Sequence, residues 1–169
     1  MTYSTTSAAL SLRHHEAPAA TRRRALLAED DPAMRGLLAA TLRSEGFEVL
    51  EAQNGRELTL LIDTCVLAGD DDDGVDLIVS DIRMPGPDGL KALARLRRRD
   101  GSTPVVLVTA FSDEATRTEA RRLGAVALLD KPFELDELRT VVRHLDGWVS
   151  LQPSVAADGP RTARQTTIH

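Results

Sequence analysis

A chain of 169 residues with 42% hydrophobic and 28% charged residues has room for one well-buried domain and is short for two. Its formal net charge of -5 argues against nucleic acid as a direct partner of the chain as a whole, so no DNA binding is expected. One cysteine, Cys65, permits no internal disulfide. No apolar stretch is long enough to span a membrane, and no secretory apolar segment stands near Met1, so a cytoplasmic setting is expected.

Residues 1–22 are rich in Ser, Thr and Ala without sustained periodicity and read as a mobile N-terminal tail. The run Ala25-Leu26-Leu27-Ala28 is then a short buried strand, stopped by Glu29-Asp30-Asp31. Asp31 is a good N-cap and Pro32 suits the first helical position. Met34, Leu37, Leu38 and Leu42 form the apolar stripe of that helix, which Gly46 ends. A second strand, Phe47-Glu48-Val49-Leu50-Glu51, leads through Asn54-Gly55 into a helix whose Leu58, Leu61, Ile62 and Cys65 share a face. Cys65 on that face reads as a buried, inert thiol. The run Asp70-Asp71-Asp72-Asp73 lacks the spaced ligands and central glycine of a calcium loop, so it reads as a solvated connection.

The third strand, from Leu77 to Ser80, ends at Asp81. Asp88 caps a helix carrying Leu90, Leu93, Ala94 and Leu96 that fades into Arg97-Arg98-Arg99, a solvated helix end favoured by the dipole. Pro104-Val105-Val106-Leu107-Val108-Thr109 is the fourth strand. Ser112 or Asp113 caps a charged fourth helix ending near Gly124. Val126 to Asp130 is the fifth strand. Glu134 opens a last helix in which Leu135, Leu138, Val141, Val142 and Leu145 recur at helical spacing and against whose end Trp148 packs. Residues 150–169 read as a second mobile tail, which leaves 23–149 as the folded unit.

Five βα units in strict alternation predict an α/β, flavodoxin-like three-layer sandwich with a five-stranded parallel sheet of order 2-1-3-4-5. Ligands bind such sheets beyond the carboxyl ends of the strands, at the switch point between the first and third. Asp30, Asp31 and Asp81 converge there. Three carboxylates in one crevice repel unless a cation intervenes, and Mg²⁺ suits a few carboxylates, several waters and a phosphate oxygen. Asp81 is then free to attack an activated phosphoryl group. Mg²⁺, the Lys131 ammonium and the Thr109 hydroxyl would each cover one phosphoryl oxygen in the transition state. Pro132 follows Lys131, and a cis bond between them would aim the lysine into the crevice.

The set Glu29-Asp30-Asp31, Asp81 with Met84-Pro85 and Asp88-Gly89, Thr109-Ala110, and Lys131-Pro132-Phe133 resembles the receiver domain of two-component response regulators, and in particular its stand-alone, chemotaxis-type members. The resemblance covers about Ala25 to Trp148. It implies that Asp81 accepts phosphate from a histidine kinase or phosphotransfer protein. It implies Mg²⁺ held by Asp30 or Asp31, Asp81 and the backbone carbonyl of Arg83, with Thr109 and Lys131 reading the phosphorylated state. The chain is then a signalling protein, catalysing at most its own phosphorylation and dephosphorylation.

Three departures stand out. Leu128 occupies the position, three before the lysine, where the family usually carries Tyr or Phe. The segment before the third strand is longer than usual and holds the aspartate run. About twenty polar residues follow the last helix, too few for a DNA-binding module, which points to signalling through an unidentified output protein or through a homodimer. Arg83 and Phe111, each two residues beyond a site residue, flank the expected phosphoryl group and would hinder the attacking water, giving a slow-decaying phosphoprotein. Two other readings compete. A Mg²⁺-dependent aspartyl-phosphate phosphatase usually shows a second acid where Arg83 stands, and a transcriptional regulator would carry an output domain.

Overall fold

Apolar runs too short for helices become strands, and the three central ones are largely buried and stop where an acid or a hydroxyl takes over. The computed structural model describes residues 23–66 and 74–149, with side chains through Leu145 at its C-terminal end. In chain order it places β1 (Arg23–Ala28), α1 (Pro32–Ser44), β2 (Phe47–Ala52), α2 (Gly55–Leu61), β3 (Leu77–Asp81), α3 (Gly89–Arg97), β4 (Val105–Thr109), α4 (Glu114–Arg122), β5 (Ala127–Asp130) and α5 (Leu135–Val149). The five strands form one parallel sheet of order β2-β1-β3-β4-β5. The three-layer, flavodoxin-like arrangement expected from the alternation is the one observed. The aspartate run, both expected tails and the Trp148 side chain lie outside the described residues.

Alternation along the central strands divides the core between the two faces. Ala25 and Leu27 of β1, Leu77 and Val79 of β3, and Val106 and Val108 of β4 meet Leu38, Ala39 and Leu42 of α1 and Leu138, Val142 and Leu145 of α5. Their neighbours Leu26, Ala28, Ile78, Val105 and Leu107 meet Leu58, Leu93, Leu96 and Ala120 on the helices of the other face. A one-residue slip of any central strand would exchange its two sets of side chains, so the register is tightly fixed.

The helices begin where a short polar side chain can hold free backbone N–H groups. Asp31 accepts from Met34 N at 2.7 Å, Asn54 from Arg56 N and Glu57 N at 3.0 Å, Asp88 from Lys91 N at 2.8 Å, and Asp113 from Thr116 N at 2.8 Å. The cap of α4 is therefore Asp113, and Ser112 is left to bond Asp130. The helix after β2 differs from the expected continuous one. Its α-helical part ends at Leu61 and passes into a π-helical turn, Ile62–Val66. Thr59 Oγ1 and Thr64 Oγ1 donate to the carbonyls of Gly55 and Leu60, four residues back, and such bonds loosen the helical ladder.

One close approach positions the loop after β3. Gly55 N donates to Pro85 O at 3.0 Å, and a Cβ on Gly55 would stand 1.6 Å from Pro87 O, so only glycine fits. The loop is thereby pinned to the start of α2, and Gly86 completes its bend at a φ of +90°.

Candidate functional site

The carboxyl ends of β1, β3 and β4 deliver three polar side chains into otherwise apolar surroundings. Glu29 follows β1 and is 1% exposed, Asp81 closes β3 at 6%, and Thr109 closes β4 fully buried. Lys131, just after β5, reaches between the two acids, its Nζ donating to Glu29 Oε2 and to Asp81 Oδ2, both at 2.7 Å. The Lys131–Pro132 peptide bond is cis. The other Asp81 oxygen, Oδ1, accepts from Arg83 N at 2.9 Å, which fixes the carboxylate on both sides.

Glu29, Asp30 and Asp81 each present a carboxylate oxygen within 4.8 Å of the other two. Asp31, expected beside Asp30 in this group, instead caps α1, and its own N–H donates to Glu29 Oε1 at 3.3 Å. Glu29 N donates to Ala52 O at 3.1 Å, which continues the sheet by one residue and turns the Glu29 side chain inward. Burial raises the Glu29 carboxyl above the ordinary glutamate range, against the lowering effect of the Lys131 ammonium. For Lys131, burial favours the neutral amine, but its bonds to Asp81 and Glu29 outweigh burial and hold the ammonium above its ordinary value. Three carboxylates face one ammonium, so the cluster has negative charge to spare. Its hard oxygen donors fit a small divalent cation such as Mg²⁺.

Thr109 Oγ1 donates to Phe111 O at 3.1 Å and accepts from Phe111 N at 3.2 Å, so the hydroxyl holds the β4–α4 loop. Phe111 is 69% exposed, and the Arg83 guanidinium lies 5.7 Å from its ring centroid, within cation–π range. The pair links the loop after β3, whose Arg83 N–H donates to Asp81, to the loop after β4. Leu128 is half-buried and packs toward the core on the α3 side of the sheet, with no aromatic ring at its position.

Two residues had roles that the sequence reading did not assign. Glu29 belongs to the acid cluster, and the signal was its place directly after the buried run Ala25 to Ala28. Asp130, directly before Lys131, pairs with Arg117 of α4 and accepts from Ser112, and these bonds hold its carboxyl below the ordinary range. No short motif announces a pair separated by thirteen residues.

A family model described as the response regulator receiver domain matches residues 25–143. The regulatory protein AtoC of Escherichia coli K12 is 38% identical over 120 residues, which cover 71% of this chain and 24% of AtoC. The transcriptional regulatory protein PdtaR of Mycobacterium tuberculosis is 37% identical over 124 residues, covering 73% of this chain and 56% of that protein. Among solved structures, the response regulator TrrA of Thermotoga maritima, in complex with Mg²⁺ and BeF, superposes with a TM-score of 0.61 at 31% identity, covering 73% of this chain and 98% of that one. The chain spans about a quarter to a half of the length of the curated relatives it matches.

Proposed function

The chain belongs to the response regulator receiver family, and from that premise we propose that Asp81 is its phosphoacceptor, charged by a histidine kinase or phosphotransfer protein. The observation that carries this reading is the Asp81 carboxylate, buried at a strand end and held between Lys131 Nζ and Arg83 N. A carboxylate oxygen of Asp81 attacks phosphorus. The bond from phosphorus to the donor's nitrogen or oxygen breaks, and the leaving group departs with its electron pair. Lys131 stays charged and pairs with a phosphoryl oxygen. Thr109 turns its hydroxyl from Phe111 O to another, which frees the β4–α4 loop.

Glu29, Asp30, Asp81 and the carbonyl of Arg83 are the groups that would hold Mg²⁺. When bound, that cation neutralises charge on the transferring phosphoryl group. The Mg²⁺ and BeF in the TrrA structure support the assignment. The phosphoryl group adds about -1.5 to -2 charges beside Lys131. The response expected is a population shift in α4, β5 and α5 that protein partners read. The receiver unit proposed is 23–149. Phosphatase turnover lacks support, because Arg83 stands where a second acid would be needed.

The names of the relatives favour a second reading for the whole protein, control of transcription by an output region linked to this receiver. Among the described residues, no helix is long and apolar enough to cross a membrane. The test of the phosphoacceptor assignment is intact mass after incubation with acetyl phosphate and Mg²⁺. The wild type should gain one phosphoryl group and Asp81→Asn none. Equal labelling of the two proteins would end the assignment.

A further inference from the structure

We propose that Arg35 is a positioning residue for the acid cluster, the one side chain of α1 that fixes the backbone from which Glu29 and Asp30 reach a divalent cation. This role rests on the reading that Glu29, Asp30 and Asp81 hold such a cation. β1 ends at Ala28 and α1 begins at Pro32, so the carbonyls of Glu29, Asp30 and Asp31 fall between sheet and helix. Carbonyls left unpaired there would be costly. Arg35 serves all three. Its Nη1 donates to Glu29 O at 2.8 Å and, more distantly, to Asp30 O at 3.5 Å, and its backbone N–H donates to Asp31 O at 2.9 Å.

Local rules disfavour an arginine at this place. Arg35 closes the first turn of α1, near the positive pole of the helix dipole, and that turn contains no acid to offset it. The side chain is nevertheless drawn in to 14% exposure. The carboxylate it meets is Glu51 of β2, 3.5 Å from Nε, and not a member of the cluster. Glu51 is held in turn by Arg43 Nη2 at 2.8 Å. The planar guanidinium thus faces carbonyls with one nitrogen and Glu51 with another, a division that a lysine ammonium does not reproduce. The acid turn gains a fixed backbone, and the carboxylate oxygens of Glu29 and Asp30 are left to the cation. Position and charge then predict opposite outcomes. Coulomb repulsion alone would let a cation bind more tightly once the guanidinium is removed. Loss of positioning weakens binding instead, and losing a group that orients a metal ligand typically costs about 10–100-fold in affinity.

The test titrates the ¹⁵N-labelled full chain with Mg²⁺ alone and follows the amides of Glu29, Asp30 and Asp81. Arg35→Ala should weaken binding about tenfold, and Arg35→Lys by less. Glu51→Gln, a change at a more exposed position, should weaken it severalfold by releasing the guanidinium toward the clustered acids. The double variant Arg35→Ala/Glu51→Gln should bind no more weakly than Arg35→Ala, because both changes act through one side chain. Affinity equal to or tighter than wild type in a folded Arg35→Ala, or additive losses in the double variant, would overturn the positioning role. If Arg35→Ala does not fold, wild-type affinity in both Arg35→Lys and Glu51→Gln would overturn it. Absence of Mg²⁺-dependent shifts in the wild type would instead overturn the cation reading on which the role rests.

Discussion

Replacing Lys131 by methionine keeps the length of the side chain and removes the one ammonium that faces the acid cluster. Glu29 and Asp81, with side chains 1% and 7% exposed, would then share a crevice without their common cation. Removing one partner of a fully buried ion pair costs about 3–5 kcal/mol. Here the Lys131 side chain is 17% exposed, and the acids keep their bonds from Arg83 N and Asp31 N. That solvent access and those bonds reduce the expected cost in metal-free buffer to roughly 2–3 kcal/mol. With a urea slope of about 1–3 kcal/mol per molar, the unfolding midpoint should fall by roughly 0.7–3 M in the presence of a chelator. A cation at a hundredfold excess over its dissociation constant returns about 2.7 kcal/mol. The variant offers that cation a more negative site, so Mg²⁺ should raise its midpoint more than that of the wild type. An unchanged midpoint under chelation, or an equal Mg²⁺ shift in both proteins, would refute the view that Lys131 is the counter-ion of this cluster.

Two further outcomes are expected. The Asp100 carboxylate accepts from Ser102 N, Ser102 Oγ and Thr103 N; burial works against ionisation, but these bonds prevail and lower its pKa. A lowered folded-state pKa contributes stability that is present above the unfolded aspartate value and lost as pH falls through the folded one. Asp100→Asn should therefore cost about 1–2 kcal/mol at neutral pH, with the difference from wild type closing as the pH falls toward and below that lowered value, as read by urea unfolding at several pH values. Phe111→Ala and Arg83→Ala each remove half of the cation–π pair that joins the loops after β3 and β4. Both should shorten the lifetime of the phosphorylated protein severalfold in the absence of any phosphatase, and unaltered decay would show that the pair does not screen the site from water.

Much of the fold was legible because its strands are short and the central ones are largely buried on both faces. Runs such as Val105-Val106-Leu107-Val108 leave few other readings once helices intervene. The caps were legible because Asp31, Asn54 and Asp88 each precede an apolar helical stripe. At the acid cluster the residue types were readable, but their division of labour was not. Whether Asp31 or Glu29 turns inward depends on where β1 releases the chain, and the bond from Glu29 N to Ala52 O fixes that point through a different strand. The resting position of Thr109 depends on the backbone of Phe111, and the pairing of Asp130 depends on how α4 sits against β5. The π-helical turn, where Thr64 Oγ1 donates to Leu60 O, is a change of helical repeat that apolar periodicity does not record.

The central claim is that Asp81 carries the phosphoryl group, and trapping the modified residue tests it most directly. Borohydride reduces an aspartyl phosphate to homoserine and leaves free carboxylates intact. After reaction with acetyl phosphate and Mg²⁺, reduction and peptide sequencing should find homoserine at position 81 and aspartate at 30 and 31. Homoserine at another position, with Asp81 unchanged, would contradict the account.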